Sequence, residues 1–163
     1  MSGSDTRALS RSLLDLCRMR KLTIATAESC TGGLIAAALT GIAGSSDVVD
    51  RGFVTYSNAA KSAMLGVNAE NLDIFGAVSE TVAREMAKGA FSRSGADLAV
   101  AVTGVAGPGG GSAKKPVGLV HIAVASKDGL SHQECRFGDI GRDGVRMETV
   151  RAALRMVLDK SAD

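Results

Sequence analysis

Two nearly continuous apolar runs, Asp97-Leu-Ala-Val-Ala-Val-Thr103 and Val117-Gly-Leu-Val-His-Ile-Ala-Val-Ala125, constrain this chain more than any other feature. A strand with one wet face alternates apolar and polar residues, whereas runs without that alternation belong to strands covered on both faces. Such strands need helices on each side, and the sequence supplies them. Leu9, Leu13, Leu14, Leu16 and Cys17 recur at helical spacing within residues 5 to 20, and Leu34 to Ile42 is rich in Ala and Leu. Ala59 to Leu65 follows Asn58, a good cap, and Ser79 caps a stripe through Val82, Ala83, Met86, Ala87 and Ala90 that ends near Ser94-Gly95. Val150, Ala153, Leu154, Val157 and Leu158 mark a last helix. Leu22 to Ala27, Arg51 to Ser57 and Ser131 to Phe137 read as further strands. Strand and helix alternate early, and three strands then follow one another. That order predicts an α/β fold, a three-layer α/β/α sandwich on a mixed, mostly parallel five-stranded sheet. With 163 residues, 45% of them hydrophobic, residues 1–163 are expected to form a single domain.

Composition removes several function classes. Five aromatic residues, none of them Trp, provide no stacking platform for single-stranded nucleic acid, and a net charge of +2 sets up no field for a polyanion. Nucleic acid and membrane are therefore not expected partners. Cys17, Cys30 and Cys135 are odd in number and widely spaced, which fits neither a disulfide framework nor a C-x-x-C pair. The N-terminus from Met1 lacks the apolar core of a signal peptide, and the stretch from Leu34 to Ala43 is broken by Thr40 and Gly41. A reducing, cytoplasmic setting is the expectation.

Chemistry concentrates where strands end. Thr26-Ala-Glu-Ser-Cys-Thr-Gly-Gly33 places Ser29 between an apolar strand and a helix of small residues, so its hydroxyl would sit near a positive helix end. Taken alone, Ser29 or Thr31 would more commonly be a plain helix cap. Two other polar segments also follow strands, Tyr56-Ser-Asn-Ala-Ala-Lys61 and the glycine-rich loop from Thr103 to Ser112. In open α/β sheets the carboxyl ends of the strands line the ligand crevice, so Ser29, Lys61 and Thr103 would converge if their strands are parallel neighbours. The glycines from Gly104 onward would let backbone N–H groups turn toward an anion, although neither a Walker nor a Rossmann spacing is present. Lys114 and Lys115 could add charge for a phosphate, or form a solvated pair.

A serine nucleophile needs a base. Of the two histidines, His121 lies inside an apolar run, where a satisfied core role is the commoner one, and His132 is its only companion. Lys61 can serve instead if burial leaves its amine neutral, able to take the hydroxyl proton and later return it to departing ammonia. Backbone N–H groups from Cys30 to Gly33, including those of Thr31 and Gly32, are candidates to hold the oxyanion. Cys30 is a rival nucleophile. No metal and no cofactor is expected: no ligand spacing is recognisable, and only Glu28, Asp47 and Asp50 could in principle gather around a hard cation.

Several motifs occur together and in order: Thr26-Ala-Glu-Ser-Cys-Thr-Gly-Gly33, Ile42-Ala-Gly-Ser-Ser46, Gly52-Phe-Val-Thr-Tyr-Ser-Asn58 with Lys61, Gly76-Ala-Val-Ser-Glu80, Val102-Thr-Gly-Val-Ala-Gly-Pro-Gly-Gly-Gly111 and Lys115-Pro-Val-Gly118. With them the chain strongly resembles the CinA C-terminal domain family of competence-damage proteins and nicotinamide-nucleotide amidases, in its stand-alone form, over about residues 8 to 158. The resemblance implies hydrolysis of nicotinamide mononucleotide to nicotinate mononucleotide and ammonia, without a metal. It also implies Ser29 as nucleophile, Lys61 as its partner, and Tyr56 and Thr103 around a small-molecule nucleotide. Relatives often read Gly-Asp-Arg directly before the last helix. Here Ile140-Gly141 separate Gly138-Asp139 from Arg142, so either Arg142 or Arg146 could bind the phosphate through a guanidinium fork. The full set of substrate-binding candidates is Tyr56, Thr103, Gly104, Thr31, Gly32, Arg142 and Arg146. The alternative function is a catalytically silent nucleotide-binding or sensing module acting through protein partners, and homo-oligomers are expected of so small an Ala-rich domain.

Overall fold

The computed structural model describes residues 3–163, with side chains from residue 5 onward; Met1 and Ser2, where the reading of the N-terminus begins, lie outside the described residues. In chain order the elements are α1 (Gly3–Arg20), β1 (Ile24–Glu28), α2 (Leu34–Thr40), β2 (Val49–Val54), α3 (Asn58–Leu65), α4 (Ala69–Phe75), α5 (Glu80–Ser94), β3 (Leu98–Gly104), β4 (Leu119–Ser126), β5 (Gly129–Arg136) and α6 (Arg142–Ala162). The strands form one sheet in the order β2-β1-β3-β4-β5. β1 pairs in parallel with both β2 and β3, while β4 is antiparallel to β3 and to β5. Four strands thus run one way and β4 the other, which is the mixed, mostly parallel sheet expected.

The apolar runs carry a finer pattern than their hydrophobicity. In Leu98-Ala99-Val100-Ala101-Val102 and Ile122-Ala123-Val124-Ala125, residue size alternates with the pleat, so successive side chains enter different layers. The large ones meet Leu13, Leu14 and Cys17 of α1, Ile35 and Leu39 of α2, and Val150, Leu154 and Val157 of α6. The alanines face Val82, Met86, Ala87 and Ala90 of α5, with Leu65 and Leu72 beside them. Small residues on that face let α5 lie close to the sheet, and α3 then closes on α5. A Cβ at Gly89 would stand 1.9 Å from the Leu65 carbonyl oxygen, so this crossing requires glycine. It fixes the helix that bears Lys61.

Three local expectations change. Ser57, not Asn58, caps α3, accepting the Ala60 N–H at 3.0 Å. The second strand spans Val49–Val54 rather than Arg51 to Ser57, and it is an edge strand with mostly exposed side chains. An extra short helix, α4, follows Asn68, whose side chain accepts from the Glu70 and Asn71 amides.

Strand order reverses at β1. The crossover through α2 carries the chain to β2 along one face, and α3 to α5 carry it to β3 along the other. A crevice opens where neighbouring strands part in this way, outside the carboxyl ends of β1 and β3.

Candidate active site

Ser29 is the first residue beyond β1. Its N–H still donates to Val102 O at 3.1 Å, after which Gly32 (φ 57°) and Gly33 (φ 109°) turn the chain into α2 with backbone angles that side chains rarely adopt. Neither Ser29 nor Thr31 caps that helix, because the position before it is Gly33. Glu28, wholly buried at the end of β1, satisfies the first amides of α2 in their place. Its carboxylate accepts the Ile35 N–H at 2.9 Å, the Ala36 N–H at 3.0 Å and the Thr31 hydroxyl at 2.6 Å. Sequence reasoning misses this role. Its one signal is an acid at the end of a buried strand, followed by a helix with no polar residue at its cap.

The hard-cation grouping fails for the same reason. Glu28 is committed to amides and a hydroxyl, Asp47 pairs with Arg18, and Asp50 pairs with Arg51. Among the described residues no three His, Cys, Asp or Glu side chains gather as a metal site.

Lys61 occupies the first turn of α3 and is 1% exposed. Its Nζ lies 3.0 Å from Ser29 Oγ, 2.9 Å from Thr55 O and 3.4 Å from Tyr56 O. Among the described residues no carboxylate pairs with it, and burial holds its pKa below the ordinary lysine value. Two of its three neighbours are carbonyls, which only accept hydrogen bonds. A neutral amine has two hydrogens for those carbonyls and one lone pair left for the serine hydroxyl.

The pair opens into a cleft of about 290 Å³ lined by Ser29, Cys30, Tyr56, Asn58, Lys61, Ala77, Val78, Thr103 to Gly107, Gly109, Gly110 and Arg142. Thr103 is buried and donates its hydroxyl to Ala77 O at 2.9 Å, tying the end of β3 to the loop before α5. Tyr56 is 58% exposed, and its hydroxyl accepts from Arg142 Nη2 at 2.7 Å; Arg142 Nη1 donates to Gly107 O at 2.8 Å. A larger hollow of about 630 Å³ lies at the opposite end of the strands, around Arg20, Asp97, Ser126 and Lys160, and contains none of the candidate residues.

Of the candidates read from sequence, Ser29, Lys61, Tyr56, Thr103, Gly104 and Arg142 meet in the cleft, while Thr31, Gly32 and Arg146 do not line it. Thr31 is buried against Glu28. Arg146 donates from Nε to Cys30 O at 3.1 Å and from Nη2 to Thr31 O at 3.2 Å, so its guanidinium braces the Ser29 turn from α6. Lys115 donates to Phe75 O at the end of α4, and neither Lys114 nor Lys115 reaches the cleft. His121 has the satisfied role expected of it, with Nδ1 2.9 Å from His132 Nε2. Cys30 lines the cleft, but burial pushes its thiol up to about 11, which leaves it protonated near neutral pH and a poor nucleophile.

Fold and site together define a three-layer α/β protein with a buried serine and lysine in contact at the carboxyl end of its central parallel strands. The family model for the CinA C-terminal domain matches residues 6–161, and the chain belongs to that family. It is 48% identical over 157 residues to the nicotinamide-nucleotide amidohydrolase PncC of Escherichia coli K12, covering 95% of this chain and 94% of that one. A CinA-like protein of Synechococcus is 52% identical over 156 residues, but the match spans 95% of this chain and only 37% of that longer protein. Among solved structures, the competence/damage inducible protein CihA of Agrobacterium tumefaciens superposes with a TM-score of 0.94 at 59% identity, covering 95% of this chain and 94% of that one.

Proposed function

We propose that this protein hydrolyses the carboxamide of nicotinamide mononucleotide, releasing ammonia and nicotinate mononucleotide, with Ser29 as nucleophile and Lys61 as its base. The observation that carries the reading is the 3.0 Å approach of Lys61 Nζ to Ser29 Oγ, with both remaining amine contacts taken by backbone carbonyls. The name of the Escherichia coli relative, matched along nearly its whole length, supports the substrate.

The steps follow from the contacts. Ser29 Oγ attacks the carboxamide carbon as its proton passes to the neutral Lys61 amine. The amide of Ser29 already donates to Val102 O, so that of Cys30, the next residue and one that lines the cleft, is offered to the developing oxyanion. Protonated Lys61 then returns the proton to the nitrogen, the carbon–nitrogen bond breaks, and ammonia leaves an ester on Ser29. Water, deprotonated by the same amine, cleaves the ester and restores the hydroxyl. Arg142, at the rim with Tyr56, offers its guanidinium to the 5′-phosphate, and the face of Tyr56 suits the cationic pyridinium.

Among the described residues no helix is long and apolar enough to cross a membrane. Three buried free thiols suit a reducing compartment, and on that ground we assign the enzyme to the cytoplasm, working on a small nucleotide. Ammonia release is the test. Turnover of nicotinamide mononucleotide, with the riboside and free nicotinamide far slower, is the expected result; binding of the nucleotide without ammonia release would favour the silent sensing module.

A further inference from the structure

The Ser29 turn needs something to hold it against the attacking geometry, and we infer that Glu28 is the positioning residue for the nucleophile. The inference rests on Ser29 being the nucleophile. Glu28 reaches both members of the pair. Its carboxylate holds the turn that follows Ser29, through the Thr31 hydroxyl, and anchors the turn to the first amides of α2. Its backbone carbonyl accepts the Thr55 N–H at 2.9 Å, and the Thr55 carbonyl in turn accepts from Lys61 Nζ. One buried residue therefore sets the serine by its side chain and the lysine by its main chain.

The chemistry of the side chain is specific. Two carboxylate oxygens meet three donors, a hydroxyl and two amides, and none of the three is a cation. A buried carboxylate is costly unless its lone pairs are filled, and here they are filled by the groups whose positions define the turn. Glutamine has the same shape but only one accepting oxygen. Its NH2 group would confront an N–H or the Thr31 O–H, and the turn would shift to separate them. Glu28 touches neither the amine nor the serine oxygen, so its effect on reaction is by placement alone.

The test compares Glu28→Gln and Thr31→Val with wild type, Ser29→Ala and the core variant Leu154→Ala, using nicotinamide mononucleotide and thermal melts. Misplacing a reacting atom by about an ångström costs about 100-fold in rate, so Glu28→Gln is expected to lose about that much kcat. KM should stay within about twofold, since the binding groups of the cleft are untouched. The alkaline rise in rate set by Lys61 should keep its midpoint, because the base is unchanged. Thr31→Val, which keeps the carboxylate and both amide bonds, should lose about tenfold in kcat alone; it carries the test if Glu28→Gln does not fold. Leu154→Ala, matched for loss of melting temperature, should keep its kcat, which separates placement from general destabilisation. Full kcat in Glu28→Gln, or in Thr31→Val should the first variant not fold, beside an inactive Ser29→Ala, would overturn the inference and leave the serine mechanism standing. Full turnover by Ser29→Ala would remove both.

Discussion

Arg142 donates from one guanidinium nitrogen to the Tyr56 hydroxyl at 2.7 Å, joining the start of α6 to the segment between β2 and α3 across the mouth of the cleft. The two residues stand 86 positions apart in the chain, yet both line the cleft that holds Ser29 and Lys61.

If this guanidinium grips the phosphate, Arg142→Ala should raise KM for nicotinamide mononucleotide by about tenfold to a hundredfold, the range for one charged hydrogen-bonding partner. Preference for the nucleotide over its riboside should shrink with it. Steady-state kinetics on the two substrates check this.

Arg146 should behave differently, because its donors go to Cys30 O and Thr31 O and not into the cleft. Arg146→Ala is expected to lower kcat about tenfold with KM little changed, and to keep phosphate preference intact. Loss of that preference would exchange the roles of the two arginines.

The sole tyrosine, in a chain without Trp, makes emission a site-specific probe. Titration with nicotinamide mononucleotide should change Tyr56 fluorescence if the pyridinium lies against its ring. An unchanged signal at saturation would remove that contact.

Burial lowers the Lys61 pKa, so the folded protein releases a proton that the unfolded chain still binds. Stability relative to Lys61→Met should therefore rise with pH between the lowered value and the ordinary lysine range, by up to about 1.4 kcal/mol per pH unit. Below that window both states are protonated and the slope vanishes. The rate constant kcat/KM should climb through the lowered pKa as the neutral amine appears. Urea melts and a pH-rate profile measure the two effects.

The places of Ser29 and Lys61 are legible in the sequence, a hydroxyl directly after an apolar strand and a lysine one turn into a helix after another strand, but taken alone Ser29 reads more commonly as a helix cap, and it is the resemblance that joins the two. The two-sided burial of β3 and β4 is equally plain, and it implies the three layers. Glu28 is barely legible, since a carboxylate that binds main-chain amides leaves as its one mark an acid at the end of a buried strand. The same holds for Arg146, whose partners are carbonyls more than a hundred residues away. α4 is seven residues long, too short to show a helical period, and β2 as a mostly exposed edge strand lacks the apolar run that would mark its limits.

On the proposed mechanism Ser29 and Lys61 act as one chemical unit. Ammonia release from nicotinamide mononucleotide, measured for Ser29→Ala and Lys61→Met with ligand affinity determined in parallel, addresses it most directly. Each variant should lose at least about 1000-fold in kcat while binding the nucleotide about as well as wild type, and the double variant should lose little more. Turnover by Ser29→Ala within about tenfold of wild type would contradict the account.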